Sequence, residues 1–293
     1  MLYEYALIIL RGLGLGAVFS LIAISLNVVQ ISSRIINFAQ GHLFVFGGLF
    51  AFLLLPSAAT PWEWLLWLPV ATLVVAAILV VQGAITLVPL GYANQQFSWL
   101  ITTMAASVIF GAIILLSQGP FARVVRSPFA NPIILGVPTP MPYVMAVFAA
   151  VLWYIALRWI FSRTVTGLAI AALAQDYDAA RAAGLNIRKL QLIAFGISGL
   201  IIGSTGYIAA PITPISADVG LSYMINGFTT AVIGGIGSNV GALIAGPVVG
   251  IIMMYATFTF GGELQGFISM MLLVIVLMLR PEGLFGRTTA RRV

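Results

Sequence analysis

Residues 5–29 read YALIILRGLGLGAVFSLIAISLNVV, and this stretch decides the class of fold. It contains one charged residue, Arg11. It is longer than the roughly 20 apolar residues that an α-helix needs to cross the bilayer core, which is about 30 Å thick. It also exceeds the apolar core of a signal peptide and shows no clear cleavage site, so it predicts a membrane helix.

The whole chain has the composition of a membrane protein. Of its 293 residues, 61% are hydrophobic and 7% are charged, and the mean hydropathy is +1.13. Soluble domains carry roughly 25% charged residues, because water must solvate their surface. The composition therefore excludes a soluble enzyme, a DNA-binding protein and a disordered scaffold. The net charge of +6 does not indicate nucleic acid binding, since the arginines border apolar runs and form no basic patch.

Apolar windows of about 20 residues between breaks at Pro, Gly, Asn or Arg predict nine membrane segments. The seventh segment is rich in glycine and is a candidate for a broken or re-entrant helix, which needs protein or water to satisfy its backbone. We therefore expect an all-α, polytopic integral membrane protein that forms one domain over residues 1–293. The nine segments are 5–29, 35–55, 64–90, 97–117, 141–160, 190–210, 223–237, 239–260 and 264–279.

The positions of Lys and Arg predict the orientation of the chain. With nine crossings and a cytoplasmic C-terminus, Arg11, Arg123 and Arg126 fall outside and the other ten of the 13 basic residues fall inside. The connection at residues 118–140 is then an extended external loop with five prolines, and the connection at 162–189 is cytoplasmic. The ten inner basic residues are Arg34, Arg158, Arg163, Arg181, Arg188, Lys189, Arg280, Arg287, Arg291 and Arg292.

The cytoplasmic connection contains an alanine-rich stretch, GLAIAALAQDYDAARAAG, at residues 167–184. It predicts one short helix that begins at a capping Thr166 and ends at Gly184 in the left-handed conformation. Two interpretations of its apolar stripe stay open. The stripe packs on the protein's own inner surface, or it inserts into a groove on a cytoplasmic partner. The stripe consists of Ile170, Leu173, Ala174 and Tyr177.

Four motifs occur in the chain in a characteristic order. The run Asp178-Ala179-Ala180, followed by Gly184, is similar to the EAA…G loop of ABC importer permeases, with Asp in place of Glu and without the later Ile-x-Leu-Pro part. The other three are INFAQG at 36–41, AVIGGIGS at 231–238 with Gly241-Ala242 following, and LRPEGLFGR at 279–287. Together they resemble the LivH-type permeases of branched-chain amino acid ABC importers.

This resemblance implies a subunit of the bacterial inner (plasma) membrane that pairs with a LivM-like second permease, two ATP-binding subunits and a periplasmic substrate-binding protein. It implies branched-chain amino acids as substrates, although similar proteins carry urea, short amides or aromatic carboxylates. The chain itself has no G-x-x-x-x-G-K-[ST] loop for nucleotide phosphates. The resemblance further implies that the ATP-binding subunit is contacted by Asp176, Asp178, Ala179, Ala180, Arg181 and Gly184.

Polar residues inside the apolar segments are candidates for a transport pathway, because burying a polar group in lipid is costly. Two of them open the second predicted segment, beside His42, and three lie in the seventh. The alternative is that they cap helices and form hydrogen bonds between helices. The candidate pathway residues are Asn37, Gln40, Asn226, Thr229 and Thr230.

Two other classes of membrane protein are weighed against an ABC permease. A self-sufficient secondary transporter needs an ionisable site in the membrane interior, and none is evident in the segments. An intramembrane enzyme needs a nucleophile with a base, and the single histidine has no acidic neighbour in sequence. With no cysteine and one histidine, the sequence predicts no metal site, cofactor or catalytic residue.

Glycines spaced four residues apart predict faces where membrane helices pack closely, because a missing side chain lets a neighbouring backbone approach. The pairs are Gly12 and Gly16, Gly199 and Gly203, Gly237 and Gly241, and Gly246 and Gly250.

Overall fold

The computed structural model is a helical bundle and describes residues 2–56, 59–90, 98–280 and 283–285. Its helices are α1 (Leu2–Ser33), α2 (Gln40–Leu54), α3 (Pro61–Leu90), α4 (Ser98–Gln118), α5 (Met141–Arg163), α6 (Val165–Gln175), α7 (Tyr177–Ala182), α8 (Ile187–Ala209), α9 (Ala217–Gly234), α10 (Asn239–Phe260) and α11 (Gln265–Leu279). A hairpin of β1 (Ile133–Ile134) and β2 (Val137–Pro138) and a 3-10 turn at Gly262–Leu264 complete the described elements.

Six of these helices are long and apolar enough to cross a membrane: α1, α3, α4, α5, α8 and α10. Helices α2, α6 and α11 are apolar but shorter. The all-α expectation is therefore met, but the count of nine membrane segments is not confirmed in the described parts of the chain. The start of the fourth predicted segment, Phe97, lies outside the described residues, as do Arg287, Arg291 and Arg292.

The seventh predicted segment corresponds to α9, which runs without a break from Ala217 to Gly234. The predicted interruption by glycine is not seen inside this helix. Instead the backbone turns immediately after it, where Gly235 and Gly237 have φ values of 89° and 85°. Side chains larger than hydrogen rarely adopt such angles, so the glycines end the helix and do not break it.

Helices α1 and α8 form the centre of the bundle. In each of them, 72% of the membrane-spanning window is buried within the protein, against 22% in α4 and α5. Helix α1 packs against α10, α8, α5 and α9, and α8 packs against α3 and α2.

Close helix contacts in the bundle occur at the predicted glycine pairs. A Cβ atom added at Gly12 of α1 would lie 2.7 Å from Ile251 Cα of α10, and one at Gly16 would lie 2.6 Å from Pro247 Cα. On α8, a Cβ atom at Gly199 would lie 2.5 Å from Ala76 Cα of α3. These distances are too short for a real side chain, so the glycines set the separation of the helices.

One predicted glycine pair does not form a helix face. Gly241 lies in α10 against the backbone of Gly234, as expected for a contact residue. Gly237, however, precedes the helix and lies in the turn between α9 and α10, with a positive φ of 85°. The prediction for Gly237 was wrong because spacing alone does not distinguish a helix face from a turn that needs left-handed residues.

The proline-rich connection forms a folded cap over one end of the bundle, which we call the loop end. Two backbone hydrogen bonds of 3.0 and 2.8 Å join Arg123 to Ile215, in the connection between α8 and α9. The Phe129 ring packs edge-on against Trp64 of α3, with centroids 5.3 Å apart. Helix α5 leads from this cap to α6 and α7, so the α7 end lies at the opposite side of the bundle.

Replacing Gly250 with valine should destabilise the protein, because the new side chain would overlap the backbone of Gly12 and Gly16. The expected loss of unfolding free energy is about 1–3 kcal/mol, the usual cost of overpacking. Gly266→Val in α11 is the matched control, since a Cβ atom at Gly266 meets nothing within 4 Å. Thermal unfolding of the purified variants in detergent measures the difference. Equal midpoints for the two variants would contradict the assigned role of the α1–α10 contact.

Candidate functional site

The alanine-rich stretch forms two helices, α6 and α7, where the sequence predicts one. Between them Asp176 has an extended backbone, with φ −146° and ψ 110°. Its Oδ1 atom accepts hydrogen bonds of 3.0 Å from the backbone N–H groups of Asp178 and Ala179. The prediction was wrong because an Asp side chain that caps a second helix competes with continuation of the first.

One residue defines each end of the segment formed by α6 and α7. Thr164, and not the predicted Thr166, caps α6, since Thr164 Oγ1 accepts a hydrogen bond of 3.0 Å from the backbone N–H of Gly167. Gly184 adopts the predicted left-handed conformation, with φ 81°. The N–H of the following Leu185 donates to the Ala180 carbonyl over 3.2 Å, which closes the end of α7.

The apolar stripe of α6 faces the protein itself. Ile170 and Leu173 are 0% and 2% exposed, and α6 packs against α5, α1 and α8. For these two residues the first interpretation holds, in which the stripe covers the protein's own surface. Tyr177, the fourth residue of the stripe, belongs to α7 and is 37% exposed.

Helix α7 projects from the bundle, and all but one of the predicted coupling residues are exposed. Ala180 is buried and attaches the helix to the hydrophobic core. Helix α7 is capped at its start and packs on the bundle through one buried residue, so its exposed side is a suitable surface for contact with another protein. The exposed predicted coupling residues are Asp176, Asp178, Ala179, Arg181 and Gly184.

Asn37, a candidate pathway residue, lies fully buried before α2 and pairs with another amide. Its Nδ2 atom donates to Gln82 Oε1 of α3 over 2.7 Å, and Gln82 Nε2 donates back to Asn37 Oδ1 over 3.3 Å. This reciprocal pair ties the start of α2 to α3.

Gln40, the second candidate, connects α2 to α1 and α8. Its Nε2 atom donates to Ser25 Oγ of α1 over 3.1 Å and to Ser198 Oγ of α8 over 2.5 Å. The hydroxyl oxygens of Ser25 and Ser198 are 2.9 Å apart. Gln40 Oε1 has no hydrogen-bond partner among the described residues. We call the five residues of these two contacts the amide cluster: Ser25, Asn37, Gln40, Gln82 and Ser198.

The three candidates in α9 are also buried, and their hydrogen bonds do not include any residue of the amide cluster. Thr230 Oγ1 donates to the carbonyl of Asn226 over 2.9 Å, and Thr229 Oγ1 lies 3.4 Å from Ser269 Oγ of α11. Asn226 Oδ1 has no partner in the described part of the chain. The structure therefore separates the five candidates into the amide cluster and an α9 group.

His42 fills a space between three helices. Its Nδ1 atom lies 2.8 Å from Ser107 Oγ of α4, and its ring lies where Cβ atoms at Gly111 and Gly220 would otherwise be. These two glycines on α4 and α9 make room for the imidazole, which thereby anchors the peripheral α4 to the bundle.

The sequence matches the family described as branched-chain amino acid transport system, permease component, over residues 8–277. The chain belongs to this permease family. Membership confirms the resemblance carried by the four motifs. Family membership and the apolar helices of the chain together show a multi-pass membrane protein.

Relatives of the permease match along nearly the whole chain. BraD of Pseudomonas aeruginosa, a high-affinity branched-chain amino acid transport system permease protein, is 24% identical over 100% of this chain and 99% of its own. LivH of Escherichia coli, also a high-affinity branched-chain amino acid transport system permease protein, is 25% identical over 97% of this chain and 96% of its own. A probable LivH of Methanocaldococcus jannaschii is 28% identical over 91% of this chain and 88% of its own. No solved structure matches the permease.

In the permease, the glycine-rich and C-terminal motifs contact each other. The N–H of Leu284 donates to the carbonyl of Ile233, at the end of α9, over 2.8 Å. Gly283, with φ 76°, lies so close that a Cβ atom there would be 2.6 Å from Gly235 Cα. Asn27 Oδ1 of α1 accepts from the N–H of Gly237 over 2.9 Å. Residues 281–282 and 286–287 of the C-terminal motif lie outside the described residues.

Replacing Asp176 with alanine should loosen α7 of the permease, because two backbone donors lose their acceptor. Loss of an N-cap costs about 1 kcal/mol, so the amides of α7 should exchange with solvent roughly fivefold faster. Asp176→Asn is the matched control, since its side-chain oxygen still accepts. Hydrogen exchange of peptides covering 177–184 measures the effect. Equal exchange in both variants would show that the cap does not hold α7.

Proposed function

We propose that this chain is one membrane subunit of an ABC importer for branched-chain amino acids, driven by ATP-binding subunits that dock on α7. The observation that carries the proposal is the exposed, capped α7 at one end of a bundle from this permease family. The relatives are branched-chain amino acid transport permeases, which supports the substrate class. Urea, short amides and aromatic carboxylates are the alternative substrates.

The distribution of charge supports a cytoplasmic α7 end. Arg158, Arg163, Arg188 and Lys189 are exposed around α6 and α7, whereas Arg123 belongs to the cap at the loop end. Basic residues accumulate on the cytoplasmic side of membrane proteins. The protein then lies in the bacterial inner membrane with the cap of residues 119–140 outside.

The C-terminal segment supports the same orientation for the C-terminus. Gly283 lies beside Gly235, and Gly237 lies near Gln30 at the end of α1 that leads to Arg34. Gly14, in the first half of α1, lies against Tyr143 at the start of α5, so the end of α1 that leads to Arg34 is directed towards the α7 end. A cytoplasmic α7 end therefore brings the C-terminus to the cytoplasmic side as well.

The proposed importer contains further subunits. A LivM-like second permease completes the membrane part, because one bundle of this family pairs with another. A periplasmic substrate-binding protein delivers the amino acid to the loop end. Two ATP-binding subunits supply the energy at the α7 end, since the chain has no phosphate-binding loop of its own.

Helix α8 transmits movement of α7 into the membrane. It follows α7 directly, and Asn186 caps it by accepting a hydrogen bond of 3.1 Å from the N–H of Lys189. Ser198 lies about 17 Å along α8, at a rise of 1.5 Å per residue. Displacement of α7 by an ATP-binding subunit therefore acts on the amide cluster through one rigid helix.

The amide cluster closes the cytoplasmic half of the pathway in this proposal. It joins α1, α2, α3 and α8 by hydrogen bonds that are each worth roughly 0.6–2 kcal/mol between membrane helices. Hydrogen bonds of this strength hold the helices together at rest. They break when ATP binding drives a conformational change with a larger free energy than theirs. Asn37 and Gln40 then face the open path, and Asn226, Thr229 and Thr230 line its α9 side.

Reversing the charge of α7 should uncouple the permease from its ATP-binding subunits. Asp178→Lys places a positive charge in the first turn of the helix, where it opposes the helix dipole and alters the docking surface. Gly184→Val strains the left-handed position that ends α7. We expect each variant to lower co-purification of the ATP-binding subunits and branched-chain amino acid uptake by about tenfold, equivalent to roughly 1.4 kcal/mol of docking energy.

Asp218→Lys is the charge-matched control for this experiment. Asp218 is an exposed acid in the first turn of α9, at the loop end of the bundle. Co-purification of the ATP-binding subunits should be unchanged in this variant. Normal co-purification and uptake in both α7 variants would contradict the coupling role of α7.

A disulfide across the amide cluster should block transport. The chain has no cysteine, so Ser25→Cys combined with Ser198→Cys introduces the only two cysteines that can form a disulfide. The hydroxyl oxygens of these serines are 2.9 Å apart, which brings the two Cβ atoms within reach of a bridge. We expect oxidation to abolish uptake in reconstituted importer and reductant to restore it, because α1 and α8 can no longer separate.

The two single-cysteine variants are the controls, and their uptake should not respond to oxidant. ATP-binding subunits should still co-purify with the cross-linked protein, since α7 is untouched. If the cross-linked importer transports normally, α1 and α8 move as one body and the amide cluster is a structural contact.

A further inference from the structure

Arg11 of α1 is a charged residue without a partner in the described part of the bundle. It forms no hydrogen bond or ion pair with any described residue, and its Nε atom is buried in this unpaired state. Its two Nη atoms are not enclosed, and Arg11 as a whole is half-buried. No acidic residue lies one turn away on α1, where Leu7, Ile8, Gly14 and Leu15 stand. An unpaired charge in a membrane helix is costly and indicates a functional site.

The side of α1 that carries Arg11 faces the interior of the bundle. Leu15, Val18 and Ile22 follow Arg11 at helical spacing on this side, and all three are buried. Gly227 of α9 packs directly on the Ile22 side chain. Arg11 lies about three turns from that contact, towards the loop end. Its side chain is therefore directed between the helices and not into lipid.

Two tyrosines lie beside this side of α1, one on each flanking helix. Tyr143, at the start of α5, packs on Gly14. Tyr223 of α9 packs edge-on against Phe19, with ring centroids 5.8 Å apart. The guanidinium of Arg11 lies within electrostatic range of the Tyr143 phenol, and the two phenols lie within range of each other. The three polar groups therefore converge near the loop end.

The three groups are accessible to a ligand. Neither phenol oxygen is fully buried, and neither has a hydrogen-bond partner among the described residues. Helices α5 and α9 both pack against α1 but scarcely contact each other, which leaves a gap over the side of α1 that carries Arg11. Guanidinium N–H and phenol O–H groups donate hydrogen bonds, so the site matches an anion with several acceptor atoms. We call Arg11, Tyr143 and Tyr223 the outer donor cluster.

We propose that the outer donor cluster binds the carboxylate of the transported substrate before the substrate reaches the amide cluster. The Nη atoms of Arg11 donate two parallel hydrogen bonds to the carboxylate oxygens, which is the geometry that a guanidinium favours. The phenols of Tyr143 and Tyr223 donate to the remaining lone pairs. This inference rests on the proposed import function and narrows its substrates. Amino acids and aromatic carboxylates carry the required group, whereas urea and short amides do not.

Equilibrium binding tests the site in the assembled importer without its substrate-binding protein, so that only membrane sites are measured. The probes are two carboxylates and their amides: leucine with leucinamide, and benzoate with benzamide. We expect the unmodified importer to bind at least one carboxylate about tenfold more tightly than its amide, because an amide cannot replace the charge-assisted pair. Arg11→Met should remove this preference, and Arg11→Lys should retain part of it, since lysine keeps the charge without the planar fork.

Arg126→Met is the matched control, because Arg126 is an exposed arginine in the cap at the same end of the bundle. Its preference for carboxylates should equal that of the unmodified importer, and ATP-binding subunits should co-purify with all variants.

The outcomes separate this site from the function on which it rests. If the unmodified importer shows no preference for carboxylates, or if the preference survives in Arg11→Met, the carboxylate site is wrong. Tighter binding of benzoate than of leucine, with both dependent on Arg11, would support the site and contradict the branched-chain substrate.

Discussion

Water is absent between membrane helices, and lipid chains are as apolar as the side chains they surround, so helices gain little by hiding apolar surface from one another. Association then depends on how closely two backbones can approach. In this permease α1 and α10 approach each other closely, because glycines of each helix face the other. This contact fixes α1 against α10. The other helices that pack on α1 are then positioned by their contacts with it.

The same absence of water explains the polar residues of the interior. A polar group in the bilayer must find its partner within the protein. Asn37 pairs with Gln82, and Gln40 pairs with Ser25 and Ser198, so each contact joins different helices. Such contacts are strong enough to define which helices meet, yet weak enough to be remade. The amide cluster thus belongs to the architecture, and in the proposed mechanism it is also where the helices separate.

Much of the fold could be predicted from the sequence where a single residue or spacing determines the outcome. The glycine pairs of α1 and α10, the proline-rich loop and the left-handed Gly184 are local signals with one physical explanation each. The break at Asp176 was missed because alanine favours helix on both sides, and the cap acts through one side chain. Ser25, Gln82 and Ser198 were missed because a lone polar residue in an apolar run gives no indication of its distant partner. The predicted count of nine membrane crossings is not confirmed, because apolarity measures composition and not helix length, and six of the described helices meet both criteria.

The hydrogen bond from Leu284 to the carbonyl of Ile233 also bears on how the polypeptide is made. The end of α9 is completed by a residue that the ribosome synthesises after α10 and α11. A nascent chain already inserted up to α10 still lacks this donor, and so does any product of premature termination. The carbonyl of Ile233 therefore waits for this donor until synthesis has passed residue 284, after α10 and α11 have been made.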